Sequence, residues 1–192
     1  MVGLNRTLLS LVVSESDKGK EYWASRPWSD SDTATKIRSA NVLVVPWENF
    51  RKESAALFPN GTTDFIAALK ASDLELVEVA IDKANYLEIS LHSDEWRLPT
   101  LFCKTIVLPL LLNMLANHID EWLFSRPGTS IVEQELIVDG GDQKCISIHY
   151  KGPPTDLVST FRNQVAACFP PTGTVSSRSS QNANISLENH GK

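Results

Sequence analysis

The chain is poor in the residues that most often announce a function. It holds three cysteines, Cys103, Cys145 and Cys168, in 192 residues. Their number is odd and their spacings are wide, with no CxxC pair and no Cys/His ligand spacing. That argues against a zinc site and suits reduced thiols in a cytoplasmic protein. Clustered positive charge is also missing. The densest point, Arg51 and Lys52, is diluted by Glu48 and Glu53, and the net charge is -5. Broad nucleic-acid binding, which needs a basic stripe to displace phosphate counterions, is therefore excluded. The glycines form neither a P-loop nor a dinucleotide fingerprint, and no GxSxG nucleophile motif occurs. The opening residues lack the charged front and small-residue cleavage site of a secretory signal. Without one, the sequons at Asn60 and Asn184 carry no weight.

A membrane-length apolar run is absent too, although residues 101–123 come near it. Lys104 and Asn113 interrupt that stretch, Asn117, His118 and Asp120 close it, and only eight residues separate the two interruptions. A span needs about 20 mostly apolar residues. Membrane association is accordingly disfavoured, and the segment reads as one long interior helix. Pro99 suits its N-terminus with Thr100 as cap, and Pro109 should kink it. Such a helix is apolar nearly all round, so a single sheet leaves one side of it uncovered.

What is present is mostly pattern. Residues 8–13 suit a strand or short helix. Residues 14–40 are polar with Tyr22, Trp23 and Trp28 interspersed, a surface segment pinned by its aromatics or an arm for a partner. The run NVLVVP, 41–46, is continuous and Val-rich, as in a buried central strand. A loop follows, and Thr62 is placed to cap a helix carrying Phe65, Ile66 and Leu69 on one face. Residues 74–82 and 86–91 both alternate with period two across a short link, which reads as an antiparallel hairpin, although Leu74, Val77 and Ile81 also fit helical spacing. The clearest signal is 131–138 and 144–150 around Asp139-Gly140-Gly141-Asp142, a second hairpin with Ile146, Ile148 and Tyr150 along one face. Thr155 could cap a last helix with Leu157, Phe161, Val165 and Cys168 in a stripe.

These elements give an α+β fold. Its antiparallel or mixed sheet is built from two hairpins and a short central strand, and packed on one face by one long kinked central helix and two shorter helices. Residues 1–169 form a single domain. Residues 170–192, nearly devoid of large apolar groups, form a disordered C-terminal tail.

Candidate functional residues fall in two sets. The loop after the central strand and the segment before the long helix supply Trp47, Asn49, Arg51, Asn60, Thr62, Thr63, His92, Asp94 and Arg97. Loops at strand ends that lead into a helix N-terminus can hold an anion, so this set suits a nucleotide or phosphate sensor, or an enzyme. A loop docked by Trp47 and Phe58, with Thr62 only capping, is the plainer account. The second set, Leu108, Leu111, Leu112, Leu115 and Trp122, is the apolar helix face that would bind another protein or a second copy of the chain. No catalytic residue, cofactor or metal ligand is assigned. His118 with Asp94 or Asp120 would need the two ends of a helix about 30 Å long to meet. His149 alternates outward and reads as a surface residue. The absence of a catalytic motif favours a non-catalytic regulator or small subunit acting through the helix face.

Overall fold

A computed structural model describes residues 10–48, 56–82, 85–90, 95–125, 131–141 and 145–170, without the side chains of Asp120 and residues 122–125. The expected tail beyond residue 170 lies outside the described residues. Within them the chain forms nine strands and five helices. The fold is α+β with a mixed sheet, as its patterning suggests, but the layout of two hairpins around one kinked helix is not what forms.

The largest departure is at residues 101–123. They divide into strand β7, Thr100–Lys104, and helix α4, Leu108–Ser125. In β7, Leu101 and Cys103 turn to one side of the sheet and Phe102 to the other, and all three are buried. A strand covered on both faces is apolar at every position, so its periodicity cannot be told from that of a buried helix. Freed of those residues, α4 is ordinarily amphipathic. Leu108, Leu111, Leu112, Leu115 and Ile119 are buried, while Leu110 is 51% exposed and Asn113 and Asn117 face outward. Pro109 becomes the second residue of α4, where its missing N–H has no intrahelical partner to lose, so no kink is required. Pro99 and Thr100 start no helix. Among the described residues no helix is long and apolar enough to cross a membrane.

The main sheet is built outward from two crossovers. Strand β2, Val42–Val45, pairs in parallel with β4, Val77–Val79, and helix α3, Thr62–Ala71, lies between them in sequence. Strand β7 pairs in parallel with β8, Ile131–Asp139, and α4 makes that connection. Strands β2 and β7 join the two units antiparallel. Strand β9, Cys145–Gly152, returns antiparallel on β8 as the second expected hairpin, and β1, Ser10–Ser16, forms the outer edge on β9. Gly141 takes the left-handed backbone that this turn requires (φ 79°), and its N–H donates to the Asp139 carboxylate at 2.9 Å. The short strand β6, Glu95–Arg97, pairs with the same side of β8 as β7, nearer the start of β8.

The expected hairpin over 74–91 does not form. Strand β5, Leu87–Ile89, pairs in parallel with β3, Leu57–Pro59, in a separate two-stranded sheet. Period-two alternation marks a strand but does not name its partner.

Helices cover both faces of the sheet, not one. On one side α3, α4 and α5, Pro154–Cys168, bury Val42, Val44, Leu101, Leu136, Val138, Ile148 and Tyr150. On the other, α1, Lys20–Ala24, and α2, Ser31–Ser39, pack on Leu43, Val45, Phe102 and Ile137. Trp23, 1% exposed, and the Trp28 indole, which donates to the Ala80 carbonyl at 3.1 Å, pin the segment to its own domain. Pro153 occupies the N-cap of α5 and Pro154 its first turn, so Thr155 does not cap it; Leu157, Phe161 and Val165 are buried and Cys168 is exposed.

Candidate functional site

Strand β8 carries two different faces. Val132, Gln134, Leu136 and Val138 are buried, and the apolar three join the core under α4 and α5; Glu133 and Glu135 alternate to the opposite side. Register on β9 sets His149 opposite Glu135 and Lys151 opposite Glu133. On β6, Arg97 lies level with Glu133. Helices α1 and α2 cover this face over Leu43, Val45, Phe102, Ile137 and Cys145. Beyond that cover lies a cleft of about 280 Å³. Its floor is Thr100, Glu133, Glu135 and His149, and Lys18, Trp47, Glu48 and Arg97 stand around it.

Ion pairs organise the cleft. The Arg97 guanidinium donates to Glu133 at 2.8 Å and to Glu95 at 2.9 Å. Lys151 closes the row on Glu95 at 2.6 Å. His149 Nε2 sits 3.1 Å from the other Glu133 oxygen. The hydrogen bond from His149, followed by Arg97 and Lys151, holds the Glu133 carboxyl down at about 2 despite its burial. The same contact raises the His149 imidazole above its ordinary value, against the effect of burial. Across the cleft Glu48, its side chain 8% exposed, accepts from Lys18 at 3.0 Å and also from Arg26 and the Tyr22 hydroxyl. Arg26 stacks over the Tyr22 ring, 3.8 Å from its centroid. Glu135 differs from its neighbours. Ser147 donates to one of its oxygens at 2.6 Å and Thr100 to the other at 3.3 Å.

An imidazole fixed by a carboxylate can take up and release a proton near neutral pH. A nucleophilic triad is not assembled here, because the Ser147 hydroxyl donates to Glu135 and not to His149. No group of three or more metal-ligating side chains occurs among the described residues. A second depression of about 460 Å³, between β1, the start of β9 and the end of α5, has among the described residues Glu15 as its only carboxylate and no basic side chain.

Of the residues expected from sequence, Trp47 and Arg97 come together in the cleft. Asn60, Thr62 and Thr63 sit instead at the start of α3. Gly61 takes the cap position there in left-handed backbone (φ 88°), and Thr62 is buried with its hydroxyl on the Pro59 carbonyl at 2.6 Å. The N–H groups of Gly61 and Thr63 already bind the Glu88 carboxylate, at 3.0 and 2.8 Å. The anion at this helix N-terminus is the protein's own. Asn49, Arg51, His92 and Asp94 lie outside the described residues. Leu108, Leu111, Leu112 and Leu115 are buried in the chain's own core, and the Trp122 side chain is not described. His118 pairs with Glu121 at 3.5 Å.

From sequence, Glu48 is carried within the 47–63 loop, Thr100 reads as a helix cap and His149 as plain surface, while Lys18, Glu133, Glu135 and Ser147 are not singled out. A signal was available: the hairpin register fixed by the Gly140-Gly141 turn sets two carboxylates against a histidine and a lysine on one sheet face. No protein-family model, curated protein or solved structure matches the chain.

Proposed function

We propose that this protein binds a small polar ligand in the cleft over β8 and β9, as a sensor or as an enzyme that handles one proton through His149. The observation that carries the reading is the convergence of Trp47, Arg97, Glu133, Glu135 and His149 on one cleft of about 280 Å³. Concave sites with a few convergent polar groups and perturbed titrating residues are the usual seats of ligands. Trp47 and Arg97 come from the two segments that the sequence favoured for a ligand. The test is a thermal-shift screen of the full chain against amines, carboxylates, phosphates and nucleotides. A hit should stabilise the protein, lose its effect in Trp47→Ala and keep it in Lys70→Ala on α3. Silence across all classes would count against the cleft.

Association with another protein is a second reading, now resting on a different element. The α4 leucines lie inside, but β1 is an edge strand that pairs only with β9 among the described residues, and Val12 on it is 55% exposed. Open edges can accept a further strand. Val12→Lys should then shift a sedimentation profile toward smaller species; an unchanged monomer in both chains would sink this reading.

A further inference from the structure

We infer that the cleft takes a ligand bearing a primary ammonium or guanidinium group, and that Glu135 is the residue that selects it. This rests on the cleft being the ligand site. The charges around the cleft are unevenly matched. Glu48 has two cations, Lys18 and Arg26. Glu133 has Arg97 and His149. Glu135 has no cation in ion-pair contact among the described residues; its partners are the neutral hydroxyls of Ser147 and Thr100. His149 lies opposite it in register, but the imidazole Nε2 faces Glu133.

A carboxylate offers about four acceptor positions across its two oxygens. Ser147 and Thr100 use one on each, so acceptor capacity remains on both. Those two hydroxyls also fix the carboxylate's position, since both stand on strands of the same sheet. A ligand ammonium placed there makes charge-assisted hydrogen bonds in a half-enclosed site. Trp47, half-buried at the cleft, adds an indole surface suited to a cation and its aliphatic stem.

An anionic ligand meets the opposite situation. Lys18 and Arg97 already hold carboxylates, so an anion must break an existing pair to be bound. A bare metal ion is a poorer occupant, because no group of three ligating side chains is available among the described residues.

The test uses three probes with one body and different heads: 4-phenylbutylamine, 4-phenylbutanol and 4-phenylbutyrate. Binding to the full chain is followed by amide chemical shifts, which also locate the probe. The amine should perturb Thr100, Glu135 and His149 and bind at least about tenfold more tightly than either counterpart, as a charge-assisted contact implies. Glu135→Gln keeps an acceptor oxygen for one hydroxyl and presents an amide N–H to the other, which can turn to accept it, so the fold should persist while the amine preference falls to near parity. Lys70→Ala on α3, which does not line the cleft, serves as the control and should retain the preference. Tighter binding of the butyrate in the cleft, or a preference unchanged in Glu135→Gln, overturns the inference and leaves the cleft as a ligand site. No perturbation of those residues by any probe, joined to silence in the wider screen, overturns both.

Discussion

Glu88 accepts the Thr63 N–H at 2.8 Å, so a side chain from β5 caps the first turn of α3 from 25 residues further along the chain. The Thr63 and Tyr86 hydroxyls donate to the same oxygen, at 2.7 and 2.8 Å. The two-stranded sheet and the helix that lies between its strands in sequence are thereby tied through one carboxylate. Burial opposes ionisation of Glu88, but the donors from Thr63, Tyr86 and Gly61 prevail and its titration lies below the usual carboxylate range. Glu88→Ala should cost about 0.5–2 kcal/mol in urea unfolding, the range for a lost helix cap. The sign with pH follows from the lowered value. The contribution is present above the unfolded-state value and is lost as pH falls through the folded one, so Glu88→Gln should flatten the acid limb of the stability curve.

The Glu133–His149 pair should mark the stability curve at two places. Glu133, held at about 2, contributes stability that is full above the ordinary carboxylate range and fades as pH drops toward 2. His149 is raised, so its contribution is full below its ordinary value of 6.5 and is lost as pH rises through the folded value above that. The stability difference between wild type and His149→Gln should therefore shrink from pH 6 to pH 9. A difference that stays constant over that window would refute the contact.

Two neighbours on α4 separate an amphipathic helix from one apolar all round. Leu111 is fully buried and Leu110 is 51% exposed. Leu111→Ala should cost about 2–5 kcal/mol, through lost contacts and the cavity left behind. Leu110→Ala should change stability by no more than about 0.5 kcal/mol, as surface substitutions do. Similar losses at both positions in chemical denaturation would mean that Leu110 also packs against something.

Gln134 is 1% exposed, and neither of its amide atoms has a hydrogen-bond partner among the described residues. A buried polar group left unsatisfied costs about 1–3 kcal/mol. Gln134→Met keeps the length of the side chain and removes both polar atoms, so it should raise the unfolding midpoint. Lowered stability in that variant would point to a water or ligand group bound to the amide.

How far the sequence could be read depended on how local each pairing is. The β8–β9 hairpin was legible because its turn and both alternating strands lie within one short stretch. Strand β2 was legible as a buried run. The partners of β4 and β5 were not, because each pairs in parallel with a strand some 30 residues earlier, and no residue of Val77–Val79 or Leu87–Ile89 encodes that choice. The 101–123 segment failed for a different reason. A strand buried on both faces is followed within four residues by an apolar helix, and the break at Lys104 and Thr105 is too short for periodicity to mark it as the joint. In the cleft, Trp47 and Arg97 stood out by type. Glu133 and Glu135 did not, because alternating carboxylates on a half-buried strand are what any solvated face presents.

The division of β8 between core and cleft links folding fidelity to the make-up of the cleft. Its side chains alternate strictly, so a slip of one residue would exchange the two sets. Glu133 and Glu135 would enter the hydrocarbon interior, and Leu136 and Val138 would line the cleft. Each such error is self-penalising, since it loses apolar burial and strands two carboxylates away from water. The turn bond from the Gly141 N–H to Asp139 therefore sets more than a corner. By tying Gly141 back to Asp139 at the end of β8, it helps hold the register that keeps Glu133 and Glu135 on the cleft face.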